Sequence, residues 1–286
     1  MGERLQRNFR AIFPPREARR AKSSIGRDAV RAFDIVLPVP PRRARRTPGE
    51  LVSHILKEIA IIAVLGLSIS IVVRLFVMQW YVVPSPSMER TLMTDDRIVV
   101  WKMSDYDRGD VVVFEDTLGW LPDPAQPTGM QAVLEFVGLA PSSAEQYLVK
   151  RIIGLPGDKV ECCTASGQII VNGSPLDETS YLYRSSDAFP AVPSRRSFSL
   201  VVPEGRMFVL GDNRDNSADS LYHLCVNGAV DVEAGFPSLE TVQGPVWAIG
   251  LPFNRATRFH TPQTYAAVPA PAEPAPQVGT ATITCS

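Results

Sequence analysis

Two hydroxyl groups and one amine are the side chains of this 286-residue chain whose spacing could support covalent catalysis. Ser85 and Ser87 stand two positions apart in Pro84-Ser85-Pro86-Ser87-Met88, and Lys150 follows Ser87 by 63 residues. A serine attacks a carbonyl only when a neighbouring group accepts its proton. Lysine can be that group when burial lowers its pKa from about 10.4 toward neutrality. A Ser87–Lys150 pair is therefore the first hypothesis.

Other catalytic arrangements of serine fit the sequence less well. There is no Gly-x-Ser-x-Gly motif, and no serine stands three positions before any of the five lysines. A Ser-His-Asp triad would have to use one of three histidines, and His223 is the only plausible one. With so few histidines and no Cys-x-x-Cys pair, we expect neither a metal site nor a cofactor.

The surroundings of Lys150 leave its exposure open. It lies in Tyr147–Ile153, a run of strand-forming residues whose alternation places Lys150 and Arg151 on opposite faces. From this stretch alone, an exposed strand lysine and a buried catalytic lysine are both possible.

A long apolar segment precedes the two serines. Ile59 to Val73 is uncharged, Arg74 interrupts it, and Leu75 to Val83 resumes the apolar character, giving 25 residues in all. That length is enough to span a bilayer if Arg74 snorkels and Trp80-Tyr81 lie among the headgroups. Because the segment starts so far from the N-terminus and bulky residues follow it, we expect an uncleaved anchor over residues 51–78.

The charge of the chain is divided unevenly around this anchor. Residues 1–50 contain 13 Arg or Lys against 5 Asp or Glu, whereas the rest contains 16 against 25. The positive-inside rule then predicts a basic, disordered cytoplasmic tail rather than a nucleic-acid-binding region. Its remaining possible role is contact with anionic lipid headgroups.

Beyond the anchor, the sequence predicts a mostly β protein. Two turn signals, Pro156-Gly157 and Asn172-Gly173, separate some of the strands, and residues 119–146 and 221–243 are expected to be loops or insertions. The Pro/Ala-rich residues 256–286 are expected to be a disordered tail. The predicted strands are Arg97–Trp101, Asp110–Phe114, Tyr147–Ile153, Gln168–Val171, Phe198–Val202, Met207–Leu210 and Val246–Ile249.

Four sequence boxes, taken together, resemble the boxes of bacterial type I signal peptidases. The resemblance covers the anchor and residues 79–250, and the four boxes occur in the expected order after an anchor. They are Pro84-Ser85-Pro86-Ser87-Met88-Glu89-Arg90-Thr91-Leu92, Arg108-Gly109-Asp110-Val111-Val112-Val113-Phe114, Lys150-Arg151-Ile152-Ile153-Gly154-Leu155-Pro156-Gly157-Asp158 and Gly211-Asp212-Asn213-Arg214-Asp215-Asn216-Ser217-Ala218-Asp219-Ser220.

The resemblance implies an antiparallel β catalytic domain over residues 79–255, with a smaller β cap subdomain at about 159–206. It implies that Ser87 is the nucleophile and Lys150 the general base, and that the Ser85 hydroxyl and the Ser87 N–H form the oxyanion hole. Ser217 would orient the lysine. The implied supporting residues are Asp212, Arg151, Arg214 and Asp219, and the implied substrate-pocket residues are Val83, Met88, Leu92 and Val149.

The sequence departs from the family's pattern at three positions. Pro86 stands where glycine is common, which stiffens the backbone between the two serines. Arg90 replaces a frequent proline, with little consequence expected. Leu221 stands where the family often has an arginine that pairs with the aspartate, so Asp219 is expected to lack that partner.

The sequence thus predicts a single-pass serine endopeptidase of the plasma (inner) membrane, cutting exported preproteins after Ala-x-Ala-like sites. Signal peptides and membrane lipids are the expected partners, without nucleic acid or an obligate protein partner. Two alternatives are a self-cleaving repressor-type Ser–Lys protease and an inactive anchored binding protein. The anchor disfavours the first of them, and the intact set of Ser87, Lys150, Asp212 and Ser217 disfavours the second.

Three of the four cysteines lie in the main extracytoplasmic domain, where oxidation is possible. Cys225 follows the last box closely, and Cys162 and Cys163 begin the expected cap. One hypothesis is a disulfide between Cys225 and either Cys162 or Cys163, tying residues 221–243 to the body of the domain, while the pairing among all four cysteines, Cys285 included, stays open.

The charge asymmetry predicts the membrane topology. Protease added to intact spheroplasts should digest residues beyond about 80 and leave the basic N-terminal tail protected. Immunoblotting with one epitope at each end measures both results. An accessible tail with a shielded β domain would contradict the topology.

Overall fold

The computed structural model describes residues 47–122, 129, 146–183, 194 and 196–285. The disorder predicted for residues 1–50 concerns residues outside this set, apart from the last four. The predicted loop 119–146 also lies mostly outside it.

One long helix, α1 (Pro48–Phe76), opens the described chain. Its start carries a capping box, in which the Thr47 N–H donates to Glu50 Oε2 and the Glu50 N–H donates to Thr47 Oγ1. Within its residues Pro48 to Arg74, the most apolar 18-residue window has a mean hydropathy of 2.3, and none of that window is buried. Among the described residues it is the one helix long and apolar enough to cross a membrane.

The helix ends earlier than the apolar segment does. Residues 78–82 form strand β1 and pair with the next strand, so Trp80 and Tyr81 belong to the β domain, and their placement among lipid headgroups stays a prediction. Aromatic and β-branched residues favour the strand, and alternation buries Tyr81 while exposing Trp80. Hydropathy alone does not mark where the helix ends and the strand begins, so β1 is absent from the strands predicted from the sequence.

Fourteen short strands and one further helix, α2 (Ser220–His223), follow in the described residues. All seven predicted strands are confirmed within a residue or a few at their ends. The strands are β1 (Met78–Val82), β2 (Arg97–Trp101), β3 (Val111–Glu115), β4 (Tyr147–Gly154), β5 (Lys159–Cys162), β6 (Ile169–Val171), β7 (Ser174–Pro175), β8 (Phe198–Val201), β9 (Phe208–Leu210), β10 (Cys225–Val226), β11 (Ala229–Val230), β12 (Val242–Leu251), β13 (Thr257–Arg258) and β14 (Thr280–Ile283).

All strand pairs are antiparallel, as the sequence predicted. One sheet has the order β1-β2-β12-β3-β4-β9, with β13 paired to β12. A second sheet has the order β14-β8-β5-β6-β7, and β10 and β11 form a hairpin. Strand β4 is buried along most of its length, because adjacent residues Leu148 and Val149 belong to two different apolar clusters.

The second sheet occupies the region predicted as a cap. Residues 159–201 supply four of its strands, and the two predicted turns precede β5 and β7, with positive φ at Gly157, Asn172 and Gly173. The fifth strand, β14, comes from the C-terminal end. A separate cap subdomain over residues 159–206 stays a prediction.

The prediction of a disordered tail after residue 255 is wrong. Residues 256–285, which we call the C-terminal strap, contain β13, a 3₁₀ helix at Gln263–Ala267 and β14. Tyr265 and Val268 are buried in the main apolar cluster. Proline- and alanine-rich composition predicts weak local structure, but here long-range packing and strand pairing order the segment.

The predicted disulfide is also wrong. Cys225 is bonded to Cys285 in the C-terminal strap, with 5.5 Å between the two Cα atoms. The sulfur atoms of the adjacent Cys162 and Cys163 contact each other instead. Because the C-terminal strap is ordered, Cys285 lies within reach of Cys225, which the sequence alone left open.

Candidate active site

The loop between β1 and β2 carries Ser87. A 3₁₀ helix, Pro86–Met88, begins directly after Ser85 and buries Ser87 to 6% exposure. Asn213 holds this loop from outside, because its N–H donates to the Ser87 carbonyl at 3.0 Å and its side-chain amide donates to Glu89 Oε2 at 2.9 Å. The backbone around the serine is therefore fixed by a residue 126 positions later in the chain.

Lys150 lies in the middle of β4 and points to this serine. Its Nζ is 2.7 Å from Ser87 Oγ and 3.2 Å from the Val149 carbonyl oxygen. With only 2% of its surface exposed, Lys150 is not the exposed strand lysine that the stretch alone allowed. The structure thus brings together the two residues of the first hypothesis.

Burial changes the acid–base behaviour of Lys150. Desolvation lowers the pKa of its amine from the ordinary 10.5 to about 8, because an ammonium ion is costly in apolar surroundings. The carboxylates of Asp219 and Asp212 act in the opposite direction and raise the pKa. The amine is therefore close to the pH range in which a neutral base is useful.

Ser85 lies beside the same hydroxyl. Its Oγ donates to Ser87 Oγ at 3.3 Å, and its side chain is only partly buried. A donor in this position can reach an oxygen that develops charge next to Ser87. The contact is compatible with the predicted oxyanion role, which stays a prediction.

A buried ion pair supports the next residue of β4. The Arg151 guanidinium donates to both carboxylate oxygens of Asp212, at 2.8 and 2.6 Å. Thr91, close to Ser87 in sequence, donates its hydroxyl to the same carboxylate. The pair predicted from the resemblance is therefore present, and it also contacts the serine loop.

Asp219 has partners despite the missing arginine. Its carboxylate accepts the Gly211 N–H at 3.0 Å and the Leu221 N–H at 3.2 Å, the latter capping α2. Backbone amides thus satisfy the charge that the family's arginine would pair with. The expectation that Leu221 leaves Asp219 without that arginine holds, and the structure shows what takes its place.

Ser217 lacks its expected contact, and Arg214 has a buried carboxylate partner. The Ser217 hydroxyl is buried against Gly211 and makes no hydrogen bond with the described residues, so the predicted bond to Lys150 is not formed here. Its orienting role stays a prediction. Arg214 pairs with Glu178, and it also donates to the Gly211 carbonyl at 3.0 Å.

The four predicted pocket residues lie together. Val83, Met88, Leu92 and Val149 belong to one buried apolar cluster next to Ser87 and Lys150. The rival base His223 instead stacks on Trp120, with 4.4 Å between the ring centroids. Within the described residues, no group of three or more His, Cys, Asp or Glu side chains is placed to hold a metal ion.

Sequence analysis missed a set of buried polar residues around Arg151. The Tyr181 ring lies 4.0 Å below the Arg151 guanidinium, and its hydroxyl donates to Glu178 at 2.8 Å. The Tyr265 hydroxyl is 2.8 Å from that of Tyr181. No local sequence pattern marks these residues as buried. The sequence offers only an indirect indication, because a buried Arg214 would need a carboxylate partner.

The chain is similar to known signal peptidases along most of its length. The sequence model described as signal peptidase, peptidase S26, matches residues 54–248. A probable signal peptidase I of Mycobacterium leprae is 36% identical over 225 residues, which are 69% of this chain and 77% of the relative. The signal peptidase I of Mycobacterium tuberculosis is 34% identical over 210 residues, 65% of this chain and 68% of the relative. A solved signal peptidase I from Enterococcus faecalis aligns with 50% of this chain and 97% of its own at 25% identity, with a TM-score of 0.28.

The environment of Lys150 predicts an unusual titration. In protein labelled with ¹³Cε-lysine, one of the five lysine signals should titrate near pH 8 and be absent from Lys150→Met. The same signal should persist in Lys159→Arg, which changes an exposed lysine. A Lys150 signal that titrates near the ordinary value of about 10.4 would contradict the effect of burial.

Proposed function

The chain belongs to the signal peptidase family, peptidase S26, and we propose that it removes signal peptides from exported preproteins with Ser87 as nucleophile and Lys150 as general base. The observation that carries the proposal is the 2.7 Å contact between Ser87 Oγ and the buried Lys150 amine. An inactive binding protein would have no need for this contact, since a buried lysine without a function only costs stability.

The reaction follows from the two groups. Neutral Lys150 accepts the Ser87 proton while Oγ bonds to the carbonyl carbon of the scissile peptide, and the carbonyl electrons move to its oxygen. When the tetrahedral intermediate collapses, protonated Lys150 gives that proton to the leaving amine and an acyl-enzyme remains. Lys150 then takes a proton from water, whose oxygen attacks the ester, and returns the proton to Ser87 as the new carboxyl product leaves.

Two donors would stabilise the intermediate's oxyanion. The Ser87 N–H and the Ser85 hydroxyl are on the same short loop, so their relative positions are set before substrate binds. Preorganised donors of this kind stabilise the charge as it develops, without paying for reorganisation during the reaction. The 3.3 Å contact between the two serine hydroxyls supports this assignment.

The apolar cluster beside the dyad supports selection for small side chains. Val83, Met88, Leu92 and Val149 are all buried, so the space next to Ser87 is bounded by packed apolar atoms. A larger substrate side chain would have to displace them, and overpacking is costly. We propose that this boundary favours Ala-x-Ala sequences before the cut.

The supporting residues hold the base in place. In this proposal Arg151 and Asp212 fix β4 and the serine loop relative to each other, Asp219 supplies negative potential near Lys150, and Arg214 supports Gly211. Ser217 is proposed to contact Lys150 once substrate is bound. No metal or cofactor is needed for these steps.

The position in the cell follows from α1 and the charge distribution. The chain is membrane-anchored, and we propose that its N-terminus is cytoplasmic and its β domain is extracytoplasmic, beside the lipids that hold the substrate's apolar segment. The unequal charge of residues 1–50 and of the remainder supports this orientation. No nucleic acid or obligate protein partner enters the proposal.

The function is tested by cleavage of a purified preprotein with an Ala-x-Ala site, with the cut mapped by mass spectrometry. The rate should rise with pH through about 8, because only the neutral amine accepts the serine proton. Ser87→Ala should lose all cleavage, and so should Lys150→Arg, since a guanidinium stays charged at working pH.

The control for the lysine is Lys159→Arg, an exposed change that should leave the rate unaltered. If the wild-type chain does not cut the preprotein, the function is wrong. If Lys150→Arg cuts at a near-normal rate, another group is the base.

Ser85→Ala tests the second serine separately. Loss of one oxyanion donor should lower kcat about 10²–10³-fold and leave KM nearly unchanged. Kinetics on a fluorogenic Ala-x-Ala peptide in detergent measure both constants, with Ser104→Ala, an exposed serine, as the matched control. Full kcat in Ser85→Ala would show that this hydroxyl only supports the turn.

A further inference from the structure

The C-terminal strap is attached to the domain at several distant points. Strand β13 pairs with β12, and β14 pairs with β8 and forms one edge of the second sheet. Between them, the Pro269 carbonyl accepts from the Asn172 side chain at 2.9 Å and the Pro276 carbonyl accepts the Glu204 N–H at 2.8 Å. A disulfide joins Cys285, near the end of the strap, to Cys225, which lies two residues after α2.

Tyr265 is the strap residue that reaches the catalytic region. It is only 5% exposed, and its ring lies directly on Gly109, where any Cβ would collide with the ring. Its hydroxyl lies 2.8 Å from the hydroxyl of Tyr181. Because Tyr181 donates to Glu178, the Tyr265 hydroxyl is the donor in this pair.

The two residues that Tyr265 contacts are both neighbours of Arg151. The Gly109 carbonyl accepts from Arg151 Nη1 at 2.6 Å, and the Tyr181 ring lies 4.0 Å from the guanidinium carbon. The Arg151 Nε and Nη2 groups donate to the two carboxylate oxygens of Asp212. Tyr265 thus supports the guanidinium on the sides that Asp212 does not.

We infer that Tyr265 is a positioning residue of the catalytic site, acting through Gly109 and Tyr181 on Arg151, and that the Cys225–Cys285 disulfide keeps the C-terminal strap in the place this requires. The inference rests on the proposed function of Ser87 and Lys150. According to this inference, the C-terminal strap helps to position the catalytic residues.

The physical link to Lys150 is electrostatic. The charged and titratable groups that act on its amine are Asp212, Asp219 and His223, with Arg151 adjacent in β4. Asp212 raises the pKa of Lys150, and its bidentate partner Arg151 offsets that negative charge. If Arg151 loses support and moves, the Asp212 charge is less compensated and the pKa of Lys150 rises.

Other ionisable groups near Arg151 do not reverse this direction. Glu178 is paired with Arg214, and burial raises the pKa of Tyr181 and Tyr265, so both phenols stay neutral. The expected effect of a weakened strap is therefore a base that is protonated to a higher pH.

Tyr265→Phe removes the hydroxyl and keeps the ring on Gly109. In full-length protein labelled with ¹³Cε-lysine, the Lys150 titration should move up by about half a pH unit, which lowers the neutral fraction at pH 7 about threefold. With a preprotein substrate, kcat at pH 7 should fall by the same factor with KM unchanged. At pH 10 the two enzymes should have equal rates.

The matched control is Tyr106→Phe, which removes a different tyrosine hydroxyl, one that donates to the Leu239 carbonyl. It should leave the Lys150 titration where it is. Tyr181→Phe removes the other hydroxyl of the Tyr181–Tyr265 hydrogen bond and should shift the Lys150 titration in the same direction as Tyr265→Phe. This second variant keeps the test decisive if Tyr265→Phe folds poorly. Equal titrations in Tyr265→Phe, Tyr106→Phe and wild type would overturn the positioning role.

The disulfide is tested by the double variant Cys225→Ser, Cys285→Ser. It should show the same upward shift of the Lys150 titration, whereas an unchanged titration would overturn the fastening role. Because the Lys150 titration is measured without substrate, it tests the role of the strap independently of the proposed function. A wild-type chain that fails to cut the preprotein would contradict the proposed function, whereas the titrations would still decide the role of Tyr265.

Discussion

The structure of the site depends on keeping one buried lysine uncharged. A Lys150 ammonium at 2% exposure would be costly, and the same desolvation that makes it costly lowers the pKa of the amine to about 8. Ser87 lies 2.7 Å away and gives the neutral amine a hydroxyl to act on. Catalytic use and burial are therefore two consequences of one position in β4.

That constraint explains how the surrounding charges are arranged. Asp212 and Asp219 both favour the protonated amine, so each needs a partner that reduces its effect. Asp212 has the bidentate Arg151, and Asp219 has the backbone N–H groups of Gly211 and Leu221. The absence of an arginine at position 221 is tolerable because oriented amides can stabilise a carboxylate in the same way that they do at a helix N-terminus.

The sequence could predict those features of the fold and the site that short sequence patterns determine. The strands around Lys150 are runs of strand-forming residues, and the boxes place Ser87 and Asp212 in a known order, so most of the main sheet and the dyad followed from them. The strand β1 was missed because Met78–Val82 follows the apolar helix almost directly, with no turn signal such as Gly or Pro between them. Tyr265 was missed because its partners are far along the chain, Tyr181 being 84 residues away, and nothing in its Pro/Ala-rich neighbourhood marks it as buried. Long-range packing carries no local signal.

The separation of base and nucleophile finally rests on three consecutive residues. Asp212 holds Arg151, the neighbour of Lys150, while Asn213 donates to the carbonyl of Ser87. Gly211, between β9 and these two, has no room for a Cβ, because the Ser87 carbonyl and Ser217 occupy that space. One short segment thus contacts both the strand of the base and the loop of the nucleophile. Ser87 and Lys150 are 63 residues apart in the sequence. Contacts of both elements with one shared segment therefore fix the distance between the two side chains.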